Sequence, residues 1–328
     1  MGVLFGQYRE LPEVVTKVAT AAGNWLKIET SARALGMGGA YVAVGEGVSA
    51  IPYNASGIAF LGGKEVYYTQ AQYLAGITHG VLGYGQRLSG SDYVGVHLFY
   101  LDSGPMEVTT ESYPDGTGEE FKVQSLSLRV VYGRRMTDRL KVGLGINYIR
   151  DAIELTRMQT VAFDIGSNFE TGIYGFRLGM SVSNFGPEVQ YHGSGLERVV
   201  PDTLDVDGRL SRVTEPFPLP LIFRLGIRNE IIGSGSEFIG SSRHRLVLVA
   251  DGVNASDYTV YGSLGLEYSY GDLLFVRAGD HVGHDTAGLS LGGGLRFRAG
   301  TMGLEVDYAW VNYGVLKTTQ QFGVNLNF

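Results

Sequence analysis

Two histidines in the last sixth of the chain are the first candidates for a chemical role. His281 and His284 stand three positions apart, with Asp285 after the second and Asp280 before the first, a spacing that a metal ion could use. These residues also fall in a predicted loop, and three ligands on one flexible loop rarely form a closed metal site. We therefore expect no bound metal here.

Nucleophilic catalysis has no matching pattern in this chain. The sequence contains no Cys, which excludes cysteine nucleophiles, disulfides and Cys-ligated zinc. The Gly-rich stretch 35–40 lacks the Lys-Ser/Thr ending and the following helix of a phosphate loop. Four further histidines lie in separate segments, without a Ser or Asp pattern that indicates a triad: His79, His97, His192 and His244. We expect a protein that is not an enzyme and has no cofactor.

The composition differs from that of a soluble domain and excludes membrane-spanning helices. Glycine accounts for 49 of the 328 residues and tyrosine for 20, whereas charged residues make up only 18%, below the roughly 25% of soluble domains. Every hydrophobic run is interrupted before the ~18 apolar residues that a membrane helix requires. The net charge of −7 comes without any basic run, so we expect no nucleic-acid partner.

Strict alternation of apolar and polar residues dominates the chain from residue 65 onward. In the last segment Phe322, Val324 and Leu326 share one face, while Gly323 and Asn325 share the other. Such segments predict fourteen strands, an even number of roughly ten-residue strands that is typical of bacterial outer-membrane barrels. The predicted strands are 65–74, 76–88, 92–104, 119–136, 140–155, 160–170, 174–186, 219–231, 244–253, 258–270, 273–281, 287–298, 301–313 and 318–328.

The predicted connections alternate in length, as the two rims of such a barrel do. With the first strand running outward, the extracellular connections include 102–118, 151–159 and 187–218. The periplasmic connections are mostly two or three residues, and 233–243 is the exception. The long loop 187–218 is the first candidate for an external contact surface, because structureless loops of that length are usually functional or disordered.

Two further patterns distinguish a membrane barrel from a soluble β-sandwich. The polar face is rich in Gly, Ser and Asn, which suits a crowded interior rather than bulk water. Aromatic residues near strand ends suit the two lipid interfaces: Tyr67, Tyr73, Tyr100, Tyr132, Tyr148, Tyr268, Tyr308 and Trp310. We predict an all-β, transmembrane antiparallel barrel, preceded by a short amphipathic helix over 11–27 that either caps the periplasmic end or docks a partner.

The segment 31–60, SARALGMGGAYVAVGEGVSAIPYNASGIAF, closely resembles the N-terminal signature of the PorV/PorQ family of outer-membrane proteins, a branch of the FadL-like barrels. The stretches 261–280 and 306–328 agree with the same family. The family's Asn-Pro-Ala-Gly turn is replaced here by Asn54-Ala55-Ser56-Gly57, which removes the proline that makes the turn rigid.

The resemblance implies a FadL-like barrel of about fourteen strands whose N-terminal segment enters the lumen as a hatch. We expect the N-terminal helix and hatch over 1–62 and the barrel over 63–328. The residues that carry the hatch motif are Arg33, Gly36, Met37, Gly38, Gly39, Asn54 and Gly57.

Charged residues on the predicted inner faces form a second candidate site. They are Arg129, Arg177, Arg224, Arg228, Glu267, Arg296, Arg298, Glu305 and Asp307. One interpretation is a lumenal field that selects anions. The other is a network of ion pairs that fills the lumen and holds the hatch, which we favour because both signs of charge are present.

The resemblance leaves three functions open. The leading hypothesis is a component of protein export or surface attachment, related to type IX secretion, that works through protein partners at the extracellular rim. The rival is a FadL-like channel for small hydrophobic molecules, and the third is a structural scaffold barrel. All three place the protein in lipid of the bacterial outer membrane. Residues 1–6 lack the pattern of a signal peptide, so we expect that a signal was removed before this numbering begins.

Overall fold

The computed structural model shows a closed antiparallel barrel of fourteen long strands, and it describes residues 17–18, 20–200 and 208–328. Each strand pairs with its neighbours in sequence, and the first pairs with the last, with Tyr67 opposite Asn325. This confirms the predicted fold class. The strands are β1 Lys64–Gln72, β2 Thr78–Arg87, β3 Asp92–Asp102, β4 Val123–Arg135, β5 Leu140–Ile153, β6 Thr156–Glu170, β7 Arg177–Phe185, β8 Ile222–Gly233, β9 His244–Ala255, β10 Tyr261–Tyr270, β11 Leu274–Val282, β12 Ser290–Ala299, β13 Met302–Asn312 and β14 Thr318–Asn327.

The two faces of each strand meet different surroundings. On β4, Arg129 is 3% exposed and points into the lumen, whereas the adjacent Val130 is 47% exposed on the outer wall. Successive side chains of a strand point to opposite faces, so a polar interior and an apolar outer wall produce the alternation seen in the sequence. Tyr67 and Tyr73 do not belong to the outer aromatic set. Tyr67 is buried in the lumen, where its hydroxyl donates to the Thr30 carbonyl, and Tyr73 packs against the buried cluster that contains Ala32 and Leu35 of the N-terminal segment.

The connections divide the barrel into a short-turn end and a long-loop end. The short-turn end carries residues 88–91, 136–139, 271–273 and 300–301, together with two longer connections, 171–176 and 234–243. The long-loop end carries residues 73–77, 103–122, 154–155, 186–221, 256–260, 283–289 and 313–317. The predicted long connection 151–159 is wrong: the β5–β6 ladder continues to the pair Ile153–Thr156, and Glu154 makes the tight turn with a positive φ of 51°.

An N-terminal segment over residues 20–63, which we call the hatch, runs through the lumen from the long-loop end to the short-turn end. It contains a 3-10 turn Asn24–Lys27, the helix α1 Ala32–Gly36, and 3-10 turns Val48–Ala50 and Ala55–Phe60. At the long-loop end the Ala22 amide donates to the Pro218 carbonyl at 2.9 Å. At the other end the chain passes directly into β1. No helix among the described residues is long and apolar enough to cross a membrane.

The described residues of the range 11–27, where a helix is predicted, do not form an α-helix. Only the 3-10 turn Asn24–Lys27 is helical there, and Gly23 before it adopts a left-handed φ of 68° that ends any regular helix. Residues 11–16 and 19 lie outside the described residues. The described part lies at the long-loop end, where Ala22 and Leu26 bury their side chains against the wall.

Glycines on the inner wall let the hatch backbone approach closely. A Cβ added at Gly279 of β11 would overlap the Met37 carbonyl carbon, and one added at Gly143 of β5 would overlap the Ala55 carbonyl. The polar face is therefore glycine-rich where two backbones meet, and the hatch fills space that side chains of the wall would otherwise occupy.

Gly279→Ala should displace the hatch from the wall, because the new methyl group overlaps the backbone of Met37 and Gly38. We expect the unfolding free energy to fall by about 1–3 kcal/mol. The measurement is a urea titration of the barrel refolded in lipid vesicles. Gly90→Ala is the control, because that turn glycine has open space around it, and we expect a change within about 0.5 kcal/mol. Equal stability of the two variants would show that the contact with Met37 is not restrictive.

Candidate functional site

The ion pair between Arg33 and Glu267 joins the hatch to the wall. Arg33 lies in α1, a short helix whose N-terminal Ser31 accepts from the Ala34 amide. Its Nε and Nη2 donate to the two carboxylate oxygens of Glu267 on β10, at 2.7 and 2.8 Å. Such a bidentate geometry is among the stronger side-chain interactions and fixes the helix against one side of the barrel.

Arg277 on β11 is the central cation of this cluster, and sequence reasoning missed it. Its side chain is fully buried and contacts three carboxylates, those of Glu267 at 2.6 Å, Glu305 at 3.5 Å and Asp307. The alternation itself carried the signal, because Phe275, Arg277 and Gly279 share the inner face of β11. We call Arg33, Glu267, Arg277, Glu305 and Asp307 the central charge cluster.

The central charge cluster opens toward the short-turn end through Arg296. Its Nη2 lies 2.7 Å from a Glu305 oxygen, and its side chain is 23% exposed. A polar cavity of about 300 Å³ begins there, and Glu46, Glu65 and Asn325 also line it. Arg298 lies at the rim of this cavity and is exposed.

The other predicted lumenal arginines lie in separate groups. Arg129 donates to Asp164 at 3.1 Å and to Asn184 at 3.2 Å, close to the β6–β7 bulge. Arg224 lies with its guanidinium 6.0 Å from the centre of the Tyr53 ring of the hatch. The predicted set is therefore divided over the lumen rather than gathered in one network.

The group nearest the short-turn end fixes the last part of the hatch. Arg177 contacts Glu46 of the hatch at 2.7 Å and Glu170 at 2.6 Å, and Arg228 contacts Glu230 at 3.0 Å. The Phe60 ring lies between two cations, with the Lys141 ammonium 3.9 Å and the Arg177 guanidinium 4.3 Å from its centre. Two cation–π contacts and an ion pair thus anchor this end.

The turn that lacks the family's proline is held by side-chain hydrogen bonds instead. The Asn54 side-chain oxygen accepts from the Ser56 amide at 3.1 Å and from the Ser56 hydroxyl at 2.7 Å. Its amide nitrogen donates to the Val42 and Ser167 carbonyls, both at 3.0 Å. Gly57 follows where a Cβ would overlap the Ala50 methyl group. These hydrogen bonds hold the turn in place without the fixed φ of a proline.

The glycines after α1 turn the hatch against β11. Gly38 and Gly39 adopt positive φ values of 64° and 76°. Gly36 lies against the Gly292 backbone, where a Cβ would come within 3.0 Å of the Gly292 Cα. Met37 between them is fully buried. The hatch-motif residues thus act through close packing and backbone conformation, with Arg33 as the only charged member.

The histidine pair lies at the long-loop end, where the His281 and His284 rings are 5.7 Å apart. In the part of the chain that the structure describes, no group of three or more His, Asp or Glu side chains is arranged to hold a metal ion. Burial lowers the pKa of His284, which keeps the ring neutral near pH 7. His79 and His97 are buried singly on the inner wall, and His244 lies beside Tyr268 at the opposite end.

The geometry favours a filled lumen over an anion-selective passage. Most arginines of the inner wall lie against carboxylates, so their fields are largely compensated within the lumen. The paired ones are Arg129, Arg177, Arg228, Arg277 and Arg296. The lumenal cavity at the short-turn end is lined by polar side chains. A closed β-barrel with an apolar outer wall and an N-terminal segment inside defines an outer-membrane barrel with an internal plug.

Comparison with known families places this chain within that class. The family model described as Type IX secretion system protein PorV matches residues 12–217, more than half of the 328 residues. The chain therefore belongs to the PorV family of outer-membrane barrels. No curated protein sequence matches the chain significantly.

Solved structures with the same fold are FadL-like channels at low sequence identity. The toluene transporter TodX of Pseudomonas putida is 12% identical, with a TM-score of 0.58 over 91% of this chain and 97% of that one. A FadL homologue of Pseudomonas aeruginosa is 12% identical, with a TM-score of 0.56 over 91% and 98%. The toluene transporter TbuX of Ralstonia pickettii is 13% identical, with a TM-score of 0.56 over 92% and 98%. These similarities establish the fold.

Arg277→Met should destabilise the barrel strongly, because it leaves the Asp307 carboxylate buried without its close cation. We expect a loss of about 3–5 kcal/mol of unfolding free energy, measured by urea titration in lipid vesicles. Arg134→Met is the matched control: that pair with Asp92 is 3.7 Å long with Arg134 55% exposed, so we expect at most about 1 kcal/mol. A similar loss for both variants would contradict the special role of the buried cluster.

Proposed function

We propose that this protein acts as an outer-membrane component of type IX secretion that binds protein partners at its long-loop end, which faces the cell exterior. Membership of the PorV family supports the secretion assignment. The filled lumen supports a role at the surface of the barrel, because the hatch leaves no wide passage between the charge groups described above.

The observation that carries the proposal is a hairpin that continues the β3–β4 pair beyond the barrel rim. Met106–Glu107 pairs with Glu120–Phe121, and Thr110 bridges to Tyr113 at the tip. Tyr113 is 63% exposed. An exposed aromatic residue on a projecting hairpin is typical of a protein contact site, since aromatic side chains dominate the energy of such interfaces.

Charge on the same hairpin indicates the chemistry of the partner surface. Acidic residues predominate along it, and they are Glu107, Glu111, Asp115, Glu119 and Glu120. A partner that carries basic side chains around an apolar pocket would match this surface, with charge mainly affecting the association rate. The loop 186–221 lies on the same rim and adds the exposed Val213, which is 59% accessible.

The double variant Tyr113→Ala with Glu111→Lys tests the hairpin. The protein is extracted gently from its native outer membrane, and co-purified proteins are quantified by mass spectrometry. We expect at least about a tenfold loss of a specific partner, because an aromatic anchor and a favourable charge are removed together. Leu88→Ala, an exposed residue of the short-turn end, should leave the partner unchanged. Undiminished recovery with the hairpin variant would count against this surface.

A second candidate function, a conduit for small hydrophobic molecules, is favoured by one apolar cluster at the long-loop end. Ala22 and Leu26 of the hatch pack there against Ile149, Met158 and Leu219. Strand β7 ends at Phe185 next to this cluster, so the wall is completed by loop 186–221 rather than by a regular strand. An apolar ligand could replace the hatch side chains at this point without crossing the central charge cluster.

Trp25 reports on this second candidate, because its ring stacks on Phe99 at 5.5 Å and borders the apolar cluster. In a Trp310→Phe background Trp25 is the one remaining tryptophan of the chain, which has 2. A conduit predicts a saturable change in its fluorescence on titration with toluene, and a weaker response after Leu26→Asn, which makes the cluster polar. A linear response identical in both proteins would indicate partition into detergent and exclude a toluene site there.

A further inference from the structure

A cavity of about 230 Å³ lies at the long-loop end between the hatch and three wall connections. Hatch residues Ile28 and Glu29 line one side of it, and His281 and Tyr313 line the wall side. A smaller cavity of about 110 Å³ adjoins it through shared residues, among them Lys27.

Aromatic rings enclose the cavity on two sides. Tyr73 and Tyr313 meet edge to face at 6.0 Å, with an interplanar angle of 81°. On the other side Tyr261 and His284 meet at 5.0 Å and 86°. These rings line the cavity, and the face of an aromatic ring attracts a cation within about 6 Å of its centre.

An uncompensated carboxylate oxygen lies in the same place. Glu29 Oε2 is buried and has no hydrogen-bond partner among the described residues. The nearby Lys27 is engaged elsewhere, because its ammonium lies 2.6 Å from Asp257. His281 Nδ1 is also buried without a partner. A buried acceptor without a donor costs free energy, so a donor that enters this cavity gains a hydrogen bond to Glu29.

The charges around the cavity select the sign of the occupant. Arg224 interacts electrostatically with Glu29 from outside the lining of the cavity. Lys27 and Asp257 form an ion pair at 2.6 Å, which is neutral as a unit. A cationic donor supplies both a charge and a hydrogen bond to Glu29, whereas a neutral apolar molecule leaves Glu29 Oε2 without a donor.

We propose that this cavity is a binding site for an organic cation, an alkylammonium or guanidinium group, with Glu29 as the counter-ion and Tyr73, Tyr261 and Tyr313 as the aromatic walls. The site does not depend on the proposed function. The same chemistry is available from a free amine and from a lysine or arginine side chain of a polypeptide.

Calorimetric titration of the full chain in detergent micelles with n-butylammonium chloride tests the site. We expect saturable binding, with 1-butanol as a neutral probe of the same shape that gives none. Glu29→Gln should weaken binding by at least about tenfold, because a charge-assisted hydrogen bond becomes a neutral one. Glu188→Gln, on an exposed residue of loop 186–221 outside the cavity, is the control and should bind like the unaltered protein.

A second variant and a second probe make the result decisive. Tyr313→Leu removes one aromatic wall and should weaken n-butylammonium binding while leaving Glu29 in place, and each variant is first shown to be folded by heat-modifiable gel migration. A short peptide with one internal lysine distinguishes the source: binding of the peptide identifies a side chain, and binding of the free amine alone identifies a small molecule. Equal affinity of n-butylammonium for the folded Glu29→Gln protein, or equal binding of 1-butanol, overturns the proposal.

Discussion

The buried ion pair between Arg33 and Glu267 couples the hatch to the barrel wall. The side chain of Glu267 is 1% exposed, so its charge requires both Arg33 and Arg277 to remain close. Those partners belong to different parts of the molecule, one to the hatch and one to the wall. A buried carboxylate that loses a partner is strongly destabilising. The hatch and the barrel are therefore folded as one unit, although Arg33 and Glu267 are 234 positions apart.

The presence of the hatch inside the barrel also accounts for the high glycine content and the low content of charged residues. The Met37 carbonyl reaches the wall only because Gly265 and Gly279 have no side chain there. Glycine on the inner face is thus the counterpart of a segment that brings its own backbone into the lumen. The low content of charged residues follows from the same arrangement, since lipid covers the outside and the interior admits charges mainly as pairs.

The strands could be predicted from the sequence because each has two faces in contrasting surroundings, and period two records that contrast directly. The prediction failed where a side chain has an unusual neighbour. Tyr67 lies inside because the alternation of β1 places it on the buried face with Glu65 and Thr69, and there its hydroxyl meets the Thr30 carbonyl of the hatch. The β5–β6 turn is shorter than predicted because Glu154 adopts a left-handed conformation. A Gly or Asn at this position would have indicated a tight turn, whereas Glu does not. Both depend on contacts or dihedral angles that residue type alone does not determine.

The partners of the lumenal charges could not be predicted in the same way. Alternation shows that Arg129 and Arg177 face inward, but the stagger of the strands decides which carboxylate each one meets. Asp164 and Glu46, their partners, lie in another strand and in the hatch. Arg277 shows the opposite case, since alternation places it correctly and only its central position among three carboxylates needs the structure.

The distribution of these pairs along the hatch limits where the protein can change shape. A passage through the middle of the lumen requires separation of Arg33 from Glu267, and each such buried pair resists loss of a partner by about 3–5 kcal/mol. At the long-loop end the hatch is held by Lys27 and Asp257, with the lysine side chain 27% exposed, and water can compensate such a partly exposed charge. Movement of the hatch therefore costs the least free energy at the long-loop end. A barrel built in this way is suited to recognition at its long-loop end, with the plug as a fixed support beneath it.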